Sequence, residues 1–175
     1  MTWPVDLSQT PRPELPGLGT PWGTPTTIRY DEGSEVGYRW YAREGHKPAY
    51  AFGHGLSYTS FAYRDLELHG GETVAASFTV TNTGARDGAD VAQLYLTDAA
   101  GEARLRLLGF ERVALKASES RRVTLTAEPR LLARFDMGGG RWRIAAGKHR
   151  VAVGRAADDL VLSGEVDLPA RVFGV

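Results

Sequence analysis

The chain has 175 residues and a mass of 19.0 kDa, enough for one domain or for one domain and part of another. Its 21 basic and 21 acidic residues cancel to a formal net charge of zero, which excludes the basic excess of a nucleic-acid binder. There is no cysteine, so disulfides, thiolate zinc sites and cysteine nucleophiles are excluded together, and no apolar run approaches the ~18 residues of a membrane span.

The N-terminal stretch MTWPVDLSQTPRP has neither a basic head nor an apolar run behind it, so it does not read as a signal peptide. Taken as it stands, the chain reads as cytoplasmic. Six of the nine prolines fall in the first 25 residues, at Pro4, Pro11, Pro13, Pro16, Pro21 and Pro25. Proline lacks a backbone donor and biases its predecessor towards extended geometry. Residues 1–27 therefore read as an extended arm or loop, mobile unless it lies against something else.

The segment from Tyr30 to Phe61, YDEGSEVGYRWYAREGHKPAYAFGHGLSYTSF, concentrates aromatics and glycines around an adjacent acid pair. Beyond about Ser60 the pattern becomes alternation with a period of two. Val74, Ala76, Phe78 and Val80 alternate with Ala75, Ser77, Thr79 and Thr81, a strand with one buried face that stops at the turn signal Asn82-Thr83-Gly84. Val91 to Leu96 is apolar on both faces and reads as a central strand. Leu107–Leu115, Arg122–Thr126, the Val151 and Val153 run after Gly147, and the Leu160, Leu162 and Val166 series follow. With Phe61–Leu68 in front, about seven short strands emerge and no long amphipathic helix interrupts them. That is the pattern of an all-β, immunoglobulin-like or fibronectin type III-like sandwich of ~100 residues.

Candidate chemistry is sparse. Asp31 and Glu32 are the tempting acid pair, but a catalytic dyad needs its two carboxyls facing each other across a substrate, and neighbours in extended chain point to opposite faces. Glu32 is expected to pair with Arg29 or Arg39, or to cap a local turn. His46, His54, His69 and His149 share no metal-ligand spacing, so no metal site is expected. His54 lies between Gly53 and Gly55, where close backbone approach and a bond from the imidazole to nearby backbone are expected. Ser57 has no base and orienting acid at a fixed spacing. Gly138-Gly139-Gly140 is not followed by Lys-Ser/Thr and reads as a flexible turn rather than a phosphate loop.

The segment Tyr30-x-Glu32-Gly33-x-x-Val36-Gly37-Tyr38-Arg39-x-Tyr41, followed by Phe52-Gly53-His54-Gly55-Leu56-Ser57-Tyr58-Thr59-x-Phe61, resembles the C-terminal part of family 3 glycoside hydrolases of the β-glucosidase type. The likeness continues through Gly88–Tyr95, Leu108–Val113 and Gly147–Gly154, and Thr2-Trp3-Pro4 matches a short segment upstream in that family. In such enzymes a (β/α)8 barrel supplies the nucleophilic aspartate, an α/β sandwich domain supplies the acid/base glutamate, and a fibronectin-like domain closes the chain. The resemblance therefore implies that residues 1–50 are the C-terminal tail of the α/β sandwich domain with its Pro-rich arm. Residues 51–59 form a joint segment, residues 60–168 the fibronectin-like sandwich, and residues 169–175 a tail.

Both family carboxylates would lie upstream of Met1, so no catalytic residue, substrate-binding residue or cofactor is expected in this chain. The aromatics then read as an interdomain joint made by Tyr30, Tyr38, Arg39, Trp40, Phe52, His54, Leu56, Tyr58 and Phe61, because Tyr and Trp are enriched at such seams. Phe52, Leu56, Tyr58 and Phe61 are expected to fill the seam. The implied partner is the catalytic part of a family 3 enzyme, in the same chain or a separate one, with no nucleic acid or membrane. The alternative is a freestanding carbohydrate-binding or adaptor module, with carbohydrate as its partner.

Overall fold

The computed structural model describes residues 1–174, which fall into two compact units, Met1–Phe52 and Gly53 onward. Each is built differently, as the proline distribution requires.

The second unit is the sandwich. Its strands are β1 (Phe61–His69), β2 (Ala75–Asn82), β3 (Gly88–Ala99), β4 (Glu102–Leu115), β5 (Ser120–Thr126), β6 (Arg134–Asp136), β7 (Arg141–Ile144), β8 (Gly147–Ala156), β9 (Asp159–Leu168) and β10 (Arg171–Phe173). One sheet runs β1-β2-β5 and the other β4-β3-β8-β9, with the paired strands antiparallel. The inward faces of both sheets meet in one core. Val74, just ahead of β2, and Ala76, Phe78 and Val80 on it are wholly buried and pack with Leu94 and Leu96 of β3, Val113 of β4, Val123 of β5 and Val151 and Val153 of β8. The intervening Ser77 and Thr81 point outward, where their hydroxyls pair across the strand with Thr124 at 2.7 Å and Ser120 at 2.8 Å. Alternation in the sequence is alternation between core and water.

All seven strands expected from the pattern are present, and three more were not foreseen. β6, β7 and β10 form a separate small sheet in the order β10-β7-β6, too short for a periodicity to register. Its third strand, Arg171–Phe173, lies in the expected C-terminal tail and pairs with Trp142–Ile144. The Gly138–Gly140 turn between β6 and β7 is held rather than flexible. The Asp136 carboxylate accepts the amides of Gly138 and Gly139 at 3.1 and 3.3 Å and pairs with Arg143 at 2.8 Å. Arg143 and those amides keep its carboxyl below the usual carboxylate range. His149 shares the core face of β8 with Val151, wholly buried, its Nδ1 donating to the Gly147 carbonyl at 3.0 Å.

The first unit holds more order than an extended arm. Trp3 exchanges backbone bonds with Tyr50 and Ala49 (2.9 Å each), and a 3-10 turn at Leu7–Gln9 starts where the Asp6 carboxylate accepts the Ser8 amide at 2.8 Å. The Trp40 indole donates to the Gln9 carbonyl at 2.9 Å, and the Gln9 side chain donates to Lys47 O at 3.2 Å. The sequence reading missed a helix, α1 (Tyr38–Glu44). Gly37 precedes it and Gly45, in the left-handed conformation at φ 69°, ends it by donating to Tyr41 O. Tyr41 is its buried residue.

Two outcomes follow. Phe78→Ala should cost about 3–5 kcal/mol in denaturant unfolding while Thr79→Ala, one residue on and facing out, should stay within about 0.5 kcal/mol. Limited proteolysis followed by mass spectrometry should remove residues up to about Tyr50 first and leave a resistant fragment, because the sandwich has its own core.

Candidate functional site

The most distinctive segment of the sequence forms a loop, residues 53–60, fixed at both ends to the sandwich. Gly53 sits at φ +86°, and a Cβ there would collide with the side chain of Gln93 on β3. Gln93 is itself buried, donating to Arg155 O and accepting from the Tyr95 hydroxyl at 2.6 Å. At the other end the Thr59 hydroxyl donates to Asn82 Oδ1 at 2.6 Å, and a Cβ on Gly84 would occupy the place of that hydroxyl. The Ser60 carbonyl accepts both the amide and the hydroxyl of Thr83, at 2.8 and 3.1 Å. Phe61 then enters the core.

Asn82 is the hub of this attachment. Wholly buried, it accepts from Thr59 and from the Gly84 amide (3.1 Å) and donates to Arg86 O (2.7 Å) and Leu115 O (3.3 Å). Both amide hydrogens and both lone pairs are used.

Between its anchors the loop faces water. Leu56 is 94% exposed and Tyr58 92%, and His54 is also exposed. Gly55 stands in open space, so the close approach expected of both glycines is made by Gly53 alone. Ser57 Oγ accepts the Thr59 amide at 3.3 Å, a local turn bond. Phe61, expected in a seam, belongs to the sandwich core instead, because β1 begins there with its first side chain inward.

A groove of about 540 Å³ runs along this loop, its other walls formed by the start of β3 and the β8–β9 turn. Its charged groups are Asp90, Arg112, Arg155, Asp158 and Asp159. The buried Tyr63 hydroxyl donates to Asp90 Oδ2 at 2.9 Å, and burial, reinforced by the Asp90 charge, pushes that phenol far above its ordinary range, so it remains a donor. Asp90 Oδ1 accepts the Val91 amide at 2.9 Å. Arg155 grips Asp159 through two bonds, at 2.8 and 3.2 Å.

In the first unit the acid pair lies in a turn, where the Gly33 amide donates to Tyr30 O at 3.0 Å, rather than in extended chain, and the two still separate: Asp31 is exposed and Glu32 buried. Glu32 finds neither Arg29 nor Arg39 but Arg12, twenty residues upstream, which also donates to Arg29 O at 3.3 Å. Its own backbone amide, and then Arg12, hold the Glu32 carboxyl below the usual range. A general acid needs the opposite shift. Arg39 instead donates to Ser34 O at 3.3 Å and to the Tyr38 hydroxyl at 3.4 Å. Tyr38 packs on Phe52 with ring centres 4.9 Å apart, Arg43 lies over Trp40 at 4.6 Å, and Tyr30, 68% exposed, carries Arg12 over its ring at 4.5 Å. No group of three or more His, Asp or Glu suited to a metal ion occurs among the described residues.

The fold and its strand order define a fibronectin type III-like domain, and the model of that domain family matches residues 90–157. The thermostable β-glucosidase B of Acetivibrio thermocellus is 34% identical over 179 aligned positions, covering 98% of this chain and 23% of that protein. Among solved structures, β-glucosidase 3B from Thermotoga neapolitana in complex with α-D-glucose superposes with a TM-score of 0.87 at 36% identity, covering 99% of this chain and 25% of its own. The family 3 β-glucosidase of Bifidobacterium adolescentis gives 0.83 at 31%, covering 97% and 25%. The chain belongs to glycoside hydrolase family 3, as the C-terminal part of a β-glucosidase-type protein with its fibronectin-like domain. It spans about a quarter of the length of these relatives.

Sequence reasoning missed Asn82, Thr59, Gln93 and Arg12. The only local signal was the turn at Asn82, and nothing in the sequence ties it to a threonine 23 residues earlier. Asn82→Leu, which keeps the size but strands four partners, should lower stability by at least about 2 kcal/mol. Thr59→Val should cost about 1–2 kcal/mol and raise amide exchange selectively across residues 53–60.

Proposed function

We propose that this chain is the accessory portion of a family 3 β-glucosidase-type enzyme, bracing the catalytic part without contributing a catalytic carboxylate. Residues 1–50 serve as the tail of the preceding α/β domain and residues 51–59 as the joint. The joint uses Tyr30, Tyr38, Arg39, Trp40, Phe52, His54, Leu56 and Tyr58, and its partner is the catalytic part, in the same chain or a separate one.

One observation carries this reading. Leu56 and Tyr58 are almost fully exposed on a loop clamped at both ends by Gly53 against Gln93 and by Thr59 against Asn82. Holding a loop rigid while leaving two large apolar side chains in water brings the sandwich no burial of its own, whereas it pre-organises a surface for a partner. The relatives supply the size of that partner, since three quarters of their length has no counterpart here.

The purified chain should give no detectable hydrolysis of aryl β-glucosides; robust turnover abolished by Glu32→Gln would overturn the proposal. Expressed together with the complementary three quarters of β-glucosidase 3B, the chain should co-purify with it. Leu56→Ser with Tyr58→Ser should cut that retention at least tenfold while leaving the thermal midpoint of the isolated chain unchanged.

A further inference from the structure

The groove between the loop and the β8–β9 turn is not explained by a bracing role. Two of its features set the kind of ligand it suits. First, its polar floor is pre-formed. Asp90 is held by the Tyr63 hydroxyl and the Val91 amide, and Arg155 is locked to Asp159, so these groups lose little freedom when a ligand arrives.

Second, its remaining polar groups are uncommitted and of both signs. Arg112 and Asp158 line the groove, are exposed, and their side chains have no hydrogen-bond or ion-pair partner among the described residues. The Ser60 hydroxyl likewise makes no bond among the described residues.

Charge narrows the choice. Three aspartates and two arginines face the groove, so the field nearly cancels and favours neither a phosphate nor a free cation. A neutral ligand that satisfies a guanidinium and a carboxylate together needs acceptors and donors side by side, and the hydroxyls of a polyhydroxylated ring supply both at every position. Leu56, Ala89, Val91 and Ala156 supply apolar contact alongside, suited to the C–H surface of a ring bearing those hydroxyls. The volume, about 540 Å³, falls in the range of small-molecule sites.

We infer that this groove binds a neutral saccharide, a mono- or disaccharide, with Arg112 donating to and Asp158 accepting from its hydroxyls. The groove shares His54 and Leu56 with the proposed joint, and both are exposed in this chain, so sugar binding can be tested on the chain by itself.

Glucose and cellobiose should be titrated into the 15N-labelled 175-residue chain, with inorganic phosphate and glycerol as separate arms. Saturable shifts are expected at His54, Asp90, Arg112 and Asp158, with millimolar affinity. Arg112→Ala and Asp158→Ala, both at exposed positions, should each weaken binding at least tenfold with the rest of the spectrum unchanged. Absence of saturable shifts up to about 100 mM of either sugar would overturn the inference. So would shifts confined to other surfaces, affinity untouched by both variants, or a stronger response to phosphate or glycerol than to the sugars.

Discussion

The second unit depends on one buried amide. Asn82 closes β2, holds the turn that follows through Gly84 and Arg86, reaches the end of β4 at Leu115, and fastens the motif loop through Thr59. A buried amide with any of its four bonds missing carries a desolvation cost that nothing offsets; with all four made it fixes the relative positions of everything it touches. The threonine hydroxyl, the adjacent glycine and the side chain of residue 82 therefore form one constraint, even though they are scattered in sequence.

That constraint explains how a small sandwich can offer a function without a deep pocket of its own. Sheet faces are flat, and their inward sides are consumed by the core. What remains are loops at the ends, and a loop recognises a partner well only if it is held still. Here Gln93 and Asn82 hold the two ends, and the residues between them are left displaying Leu56 and Tyr58. The polar floor beside the loop is held in the same way, by the Tyr63–Asp90 bond and the Arg155–Asp159 fork. By contrast, the one buried carboxylate of the first unit, Glu32, is held ionised by its backbone and Arg12, the state of a structural ion pair.

The strands were legible where burial is periodic. Val74, Ala76, Phe78 and Val80 announce a one-sided strand because each inward position must be apolar and each outward one need not be. β6, β7 and β10 were not legible, since three or four residues cannot establish a period and their pairing joins Arg171–Phe173 to a hairpin some thirty residues earlier. The helix Tyr38–Glu44 was hidden for a related reason: it is two turns long and buries only Tyr41, so its sequence looks like the aromatic loop around it. Within the motif, the glycines were rightly suspected of close approach, yet only Gly53 makes it.

The sequence by itself determined the sandwich, its seven principal strands and the family, because alternation and an ordered set of motifs are local properties written along the chain. Only the tertiary structure decided which motif residues are consumed by the fold and which are left exposed to water. Phe61 and Tyr58 are both aromatic and three residues apart, yet one is core and the other is 92% exposed. Nor could the sequence show that Arg12 serves Glu32 or that Thr59 serves Asn82. Those assignments depend on which distant side chain completes a buried hydrogen bond, and that partner is chosen by the packing of the whole unit rather than by neighbours in the chain.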